Sequence, residues 1–150
     1  MKPLLDFLSG RAITLAASAA RGVTAGTNGT TQSLPGHFRR WVILCDITAS
    51  ATDAGDTLNC YVDVSLDGSK WLNAVHFTQQ AGDGSARSEY AILDASAPGA
   101  VVINVTSDAA SGVTRPSAWG LFMRARWVIV EAGGNANASH TFSITAVGQP

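Results

Sequence analysis

From residue 11 onward, apolar side chains recur at every second position, and the runs that carry them are separated by clusters of Gly, Asp, Asn, Ser and Pro. A period of two puts alternate side chains on opposite faces of an extended chain, so these runs predict half-buried β-strands. They are expected at about 11–18, 21–26, 38–49, 57–65, 71–78, 86–93, 100–106, 119–131 and 138–147. Helical spacing is confined to the N-terminus, where Leu4, Leu5 and Leu8 fit one face of a turn or two.

The alternation also predicts partners. If 38–49 and 57–65 form a hairpin across Thr48–Gly55, Trp41 faces Val64, Ile43 faces Val62, Cys45 faces Cys60 and Ile47 faces Leu58. All four pairs are apolar, and a slip of one residue would bury Asp46 and Asn59. Asp67-Gly68 predicts a tight turn, because Gly tolerates positive φ, and this turn delivers Trp71, Val75 and Phe77 to one face with Asn73 as its polar misfit. The long run 119–131 divides into a core face of Leu121, Met123, Ala125, Trp127 and Ile129 and an opposite face of Phe122, Arg124, Arg126, Val128 and Val130.

Strands without interspersed helices predict an all-β domain of two packed antiparallel sheets, a jelly roll in preference to an immunoglobulin-like sandwich. Residues 1–36 are expected to form an extended or short-helical N-terminal arm with the first strands, and 37–150 the sandwich body. A chain of 150 residues is long enough to bury a core without disulfides or metals.

Composition narrows the function. Ten Lys plus Arg against eleven Asp plus Glu give a net charge of −1, and 14% charged residues argue against a nucleic-acid partner. Asp6 interrupts the leucine cluster before it reaches the length of a signal-peptide core, and no window approaches the ~20 apolar residues of a membrane-spanning helix. No membrane partner is expected.

Catalytic patterns are missing. His37, His76 and His140 are scattered, no Gly-x-Ser-x-Gly elbow is present, and the glycine pairs lack the Lys of a phosphate loop. Cys45 and Cys60 read as free buried thiols rather than a bridge or a zinc pair. Asp53 and Asp56 could begin a calcium site, although solvated turn residues account for them better. Neither cofactor nor metal is expected. Trp119, after the Arg-Pro-Ser-Ala loop, is the tryptophan nearest a surface role, with a core role at the strand start fitting equally well, and Arg124 with Arg126 reads either as an interface or as a half-exposed face paired to Glu89 or Asp63.

The stretch CYVDVSLDGSKWLNAVHFTQ, residues 60–79, resembles small β-sandwich virion proteins of tailed bacteriophages, and the later LFMRARWVIV and TFSITAVG strands follow in the same order. The resemblance spans about residues 38–147. It implies a jelly-roll-like architecture and a non-enzymatic structural role, foremost as a capsid decoration or cement protein and next as a neck or tail component. It further implies a homo-oligomer whose partners are other virion proteins, made in the host cytoplasm and ending in the virion. A carbohydrate-binding sandwich is the competing function, and an enzyme on the same scaffold a distant third. Leu4, Leu5, Phe7 and Leu8 have no evident place in a sandwich closed by later strands, so residues 1–10 are expected to reach another chain, the alternative being a short helix packed on their own domain.

Overall fold

Eleven β-strands and no helix occur among residues 10–50, 53–98, 104–134 and 137–150, which the computed structural model describes. In chain order they are β1 (Arg11–Gly22), β2 (Thr24–Asn28), β3 (Gln32–Ser33), β4 (Arg40–Ser50), β5 (Thr57–Ser65), β6 (Trp71–His76), β7 (Gln80–Ala81), β8 (Arg87–Asp94), β9 (Val113–Thr114), β10 (Phe122–Val130) and β11 (Ser139–Gln149). The first sheet has the order β1-β11-β4-β8; the second runs β2-β10-β5-β6-β9, with β3 also on β10 and β7 also on β5. Every pairing is antiparallel.

The topology is nested. When β2 with β3 and β6 with β7 are each taken as one interrupted strand, the first strand pairs with the last, β2–β3 with β10, β4 with β8, and β5 with β6. Folding such nested pairs so that they alternate between two sheets is the jelly-roll solution to packing antiparallel strands around one core.

The expected hairpin of β4 and β5 does not exist. β4 lies between β11 and β8 in the first sheet, and β5 lies between β10 and β6 in the second. The inward residues are still the anticipated ones, with Trp41, Ile43, Cys45, Ile47, Leu58, Cys60, Val62 and Val64 all buried. They belong to one core lying between the two sheets rather than facing one another along a ladder. Alternation fixes which side chains point inward, but a residue can meet its apolar partner beside it or across the core, and the pattern is the same.

A second correction concerns Trp71. The turn at Asp67-Gly68 forms as expected, with Gly68 at φ 76° and Ser65 paired to Trp71. Ladder register then shifts between Val62 and Asp63, so that Val62 opposes Val75 while Asp63 opposes Asn73, leaving Ala74 as the extra residue of a bulge. Val75 and Phe77 therefore join the core, whereas Trp71 and Asn73 share the outer face with Asp63. Asn73 is the reason the bulge is tolerated: its amide donates to Asp63 Oδ1 at 3.1 Å and to Val75 O at 3.0 Å.

Two smaller departures follow from strand ends. Leu121, expected in the core, precedes β10 and is exposed, while Met123, Ala125, Trp127 and Ile129 are buried as anticipated. The strand expected at 100–106 lies partly outside the described residues. Its described part is a turn in which the Asn104 side chain accepts from the Thr106 N–H at 3.0 Å and the Thr106 hydroxyl at 2.8 Å.

Arg21 closes one side of the core. β1 carries register shifts on either side of Ala16, and the Arg21 guanidinium lies against the rings of Trp127 and Phe142, 4.6 and 4.3 Å from their centroids. It donates to Ala19 O and to Phe142 O, satisfying carbonyls near the irregular ladder.

Cys45 and Cys60 are free and buried, and burial together with a hydrogen bond from one thiol to the other pushes the Cys60 pKa well above its ordinary value. Both thiols are expected to stay unmodified by a small thiol reagent in the native protein and to react fully once it is denatured. Native labelling at the rate of an exposed cysteine would contradict this packing.

Candidate functional site

Arg124 and Arg126 project from β10 onto the outer face of the second sheet, opposite Asp63 and Tyr61 of β5. Asp63 is only 3% exposed. A carboxylate so placed needs partners, and it has three: Arg126 Nε at 3.0 Å and Arg124 Nε at 3.7 Å on Oδ2, and the Asn73 amide on Oδ1. The guanidiniums also lie over aromatic faces, Arg124 above Trp71 and Arg126 above Tyr61, each 4.0 Å from the ring centroid. Burial lowers the Arg124 pKa, whereas at Arg126 the same burial is outweighed by Asp63 and Asp108 and the pKa rises.

The segment before β10 is strapped over this polar face. Asp108 accepts from Arg126 at 2.6 Å, the Ala109 N–H donates to Asn73 Oδ1 at 2.9 Å, and His76 Nδ1 meets Ala109 O at 2.8 Å. Arg115 adds bonds to Asn73 O and Ser107 O. Of the two pairings read from the sequence for these arginines, the one with Asp63 forms.

Trp119 is half-buried against the core and walls a cleft of about 240 Å³ with Val64, Leu66, Leu72 and Val105. The cleft's polar groups are Ser65, Asp67 and Lys70. Two of them are already engaged in the turn: Asp67 Oδ1 accepts from the Ser69 and Lys70 N–H groups at 2.8 Å each, and Ser65 Oγ donates to Lys70 O at 2.6 Å. Those backbone donors hold the Asp67 carboxyl well below the usual carboxylate range.

The outer face of the first sheet is different in kind. Ladder registers align Ala12, Val147, Val42 and Ile92 in one row across all four strands, with Thr14, Thr145, Leu44 and Tyr90 in the next. Tyr90 is 73% exposed, Ile92 49% and Val147 41%. The salt bridge of Arg40 to Asp94 at 2.9 Å bounds this patch at one end, and the bond from Ser88 Oγ to Asp46 at 2.7 Å bounds it at the other. This face was not singled out in the sequence, although Val42, Leu44, Tyr90 and Ile92 are its apolar residues on the non-core phase of their strands. Leu4, Leu5, Phe7 and Leu8 lie outside the described residues.

Titratable groups gather at one further place. Asp53, Asp56 and Glu131 bring carboxylate oxygens within 4.8 Å of one another. Glu131, distant in sequence, is the member that spacing could not supply. Asp56 Oδ1 accepts from the Ala132 N–H at 2.9 Å and Glu131 Oε2 from the Ala138 N–H at 2.9 Å, so these carboxylates also tie down the connection into β11. His140 is fully buried, with Nδ1 3.0 Å from Ser50 Oγ, and burial lowers its pKa. It lines neither the Trp119 cleft nor a second cleft of about 250 Å³ bordered by His76, Glu89 and Tyr90.

Among the described residues the arrangement thus defines a jelly-roll sandwich with one strapped polar face and one bare apolar face. No protein-family model and no curated protein matches the chain. Among solved structures it is similar to the VP2 subviral particle of infectious bursal disease virus, with a TM-score of 0.50 and 11% identity over 94% of this chain and 33% of that one. A structure of the Gt strain of the same virus aligns with a TM-score of 0.45 and 12% identity over 93% of this chain and 32% of that one. The chain spans about a third of the length of these structures, and the likeness to the first is one of fold.

The two ends of the Arg126 network should differ in weight. Asp63→Ala leaves Arg124 without a carboxylate partner and takes one acceptor each from Arg126 and the Asn73 amide, and is expected to cost about 3 kcal/mol, whereas Asp108→Ala removes a partner that is 47% exposed and should cost less than about 1 kcal/mol. Urea unfolding of the two variants measures the difference, and equal losses would contradict the burial argument.

Stability should also depend on pH in the acid range. The Ser96 hydroxyl and N–H, with Arg40, lower the Asp94 pKa from 3.8 to about 2. A carboxyl depressed on folding contributes stability that is fully present above its unfolded value and lost as pH falls through the folded one. The thermal midpoint should therefore fall between roughly pH 4 and pH 2, and fall less steeply in Asp94→Asn. Identical acid limbs in the two proteins would count against this role for Asp94.

Proposed function

We propose that the chain is a non-enzymatic structural subunit of a virion, and in finer terms a decoration or cement protein on the capsid of a tailed bacteriophage. The observation that carries this reading is that three exposed large apolar residues, Tyr90, Ile92 and Val147, share the outer face of the first sheet. Faces of that kind are built to be covered by protein. Support comes also from the resemblance of residues 60–79 to phage virion proteins and from a fold similar to that of a protein forming a subviral particle.

On this reading the partners are other virion proteins and further copies of the chain, the protein is made in the bacterial cytoplasm and resides in the virion, and neither nucleic acid nor membrane is bound. Residues 1–10, with Leu4, Leu5, Phe7 and Leu8, form an arm onto another chain. The Trp119 cleft and the segment anchored by Arg124 and Arg126 provide a second contact. A sugar-binding role draws less support, because Ser65 and Asp67 in the Trp119 cleft are already spent on their own turn.

Quantitative mass spectrometry of purified particles from the encoding virus tests the proposal. A fixed high ratio to the major capsid protein, with particles lacking the chain failing at lower temperature, is the expected result. A small fixed number would favour the neck or tail alternative over decoration. Absence from particles in which the capsid protein is abundant would overturn the structural role.

A further inference from the structure

We infer that the apolar outer face of the first sheet is the seat for the N-terminal segment, residues 1–9, of a second copy of this chain. This deepens the assembly reading and rests on it, but it assigns a specific surface and a specific occupant.

Gly10 lies beside β11, where an added Cβ would come within 3.0 Å of Gly148 O and 3.3 Å of Val147 Cγ1. Val147 is a member of the apolar row, so the segment joins the fold at the edge of the patch. Residues 1–9 contain four large apolar side chains, Leu4, Leu5, Phe7 and Leu8. Extended, nine residues span up to ~30 Å, whereas a row across four strands is only ~14 Å wide. One segment is long enough to cover the whole row.

Direction selects the copy. β1 begins with Arg11 opposite Gly148 and β11 ends at Gln149, so Gly10 lies at the Arg40–Asp94 end of the sheet, and a segment continuing along the β1 axis would pass beyond that end. Landing on its own face would demand an immediate reversal. A neighbour across a two-fold axis meets the segment without one, and the same operation covers both faces at once, as an isologous contact requires. On the second sheet the Asp63 network and the strap over it occupy the middle of the outer face, and the Trp119 cleft lies to one side, away from Gly10.

Full-length Leu8→Cys and Ile92→Cys, purified separately, mixed and oxidised, test this directly; the native thiols are buried and do not compete. The expected product is a disulfide-linked mixed pair, identified by mass, that does not form when Val130→Cys, exposed on the outer face of the other sheet, replaces Ile92→Cys. A second measurement uses no cysteine: Ile92→Lys, at an exposed position, should leave the thermal midpoint of the isolated chain unchanged and weaken self-association by at least about tenfold. Mixed pairs absent, or a Leu8→Cys/Ile92→Cys chain that closes on itself as a monomer, would overturn the inference. Cross-linking in a chain absent from particles would leave the docking standing and remove the virion role; the reverse outcome would do the opposite.

Discussion

The packing of β4 against β5 across the interior is the contact on which the rest of the structure depends. Trp41, Ile43, Cys45 and Ile47 from one sheet share a core with Leu58, Cys60, Val62 and Val64 from the other, and every one of them is buried. The short connection between the two strands must therefore carry the chain from one layer to the other. That crossing forces β4 to find its ladder partners in β8 and β11, and β5 to find its own in β6 and β10. The nested jelly-roll order follows from where those partners fall along the chain.

With the interior settled, the two outer faces take opposite solutions. On the second sheet an outer-face carboxylate, Asp63, is neutralised by two arginines and covered by the segment around Asp108 and Ala109. This network gives the face a fixed polar order and uses up its charged groups internally. On the first sheet no strap exists among the described residues, and the row from Ala12 to Ile92 stays apolar up to the Arg40–Asp94 pair. A chain with a net charge of −1 and so few charges overall has little to keep such a face apart from another protein.

Much of this was legible in the sequence. The period of two marked most strands and nearly all of the core, and the absence of helical spacing pointed to a two-sheet sandwich. What the pattern could not carry was pairing, because an inward residue looks the same whether its neighbour is beside it or across the core. The bulge at Ala74 was hidden for a related reason: Asn73 reads as a misfit in a core strand until Asp63 is seen to receive its amide. The Asp63–Arg126 pair was among the alternatives open at that level, but the strap from Asp108 and the approach of Glu131 to Asp53 and Asp56 depend on loops whose paths no local pattern encodes. The apolar outer face is not marked by the core phase of any single strand, and only the registers of β1, β11, β4 and β8 assemble it into a row.

On the proposed assembly role, the first sheet is complete only when another copy covers it. Sedimentation equilibrium of the full-length protein over a wide concentration range measures that most directly. Reversible association, lost when residues 2–9 are deleted while the thermal unfolding transition of the domain is kept, is the predicted result. A chain that is monomeric at every concentration, or one that associates equally well without those residues, would contradict the account.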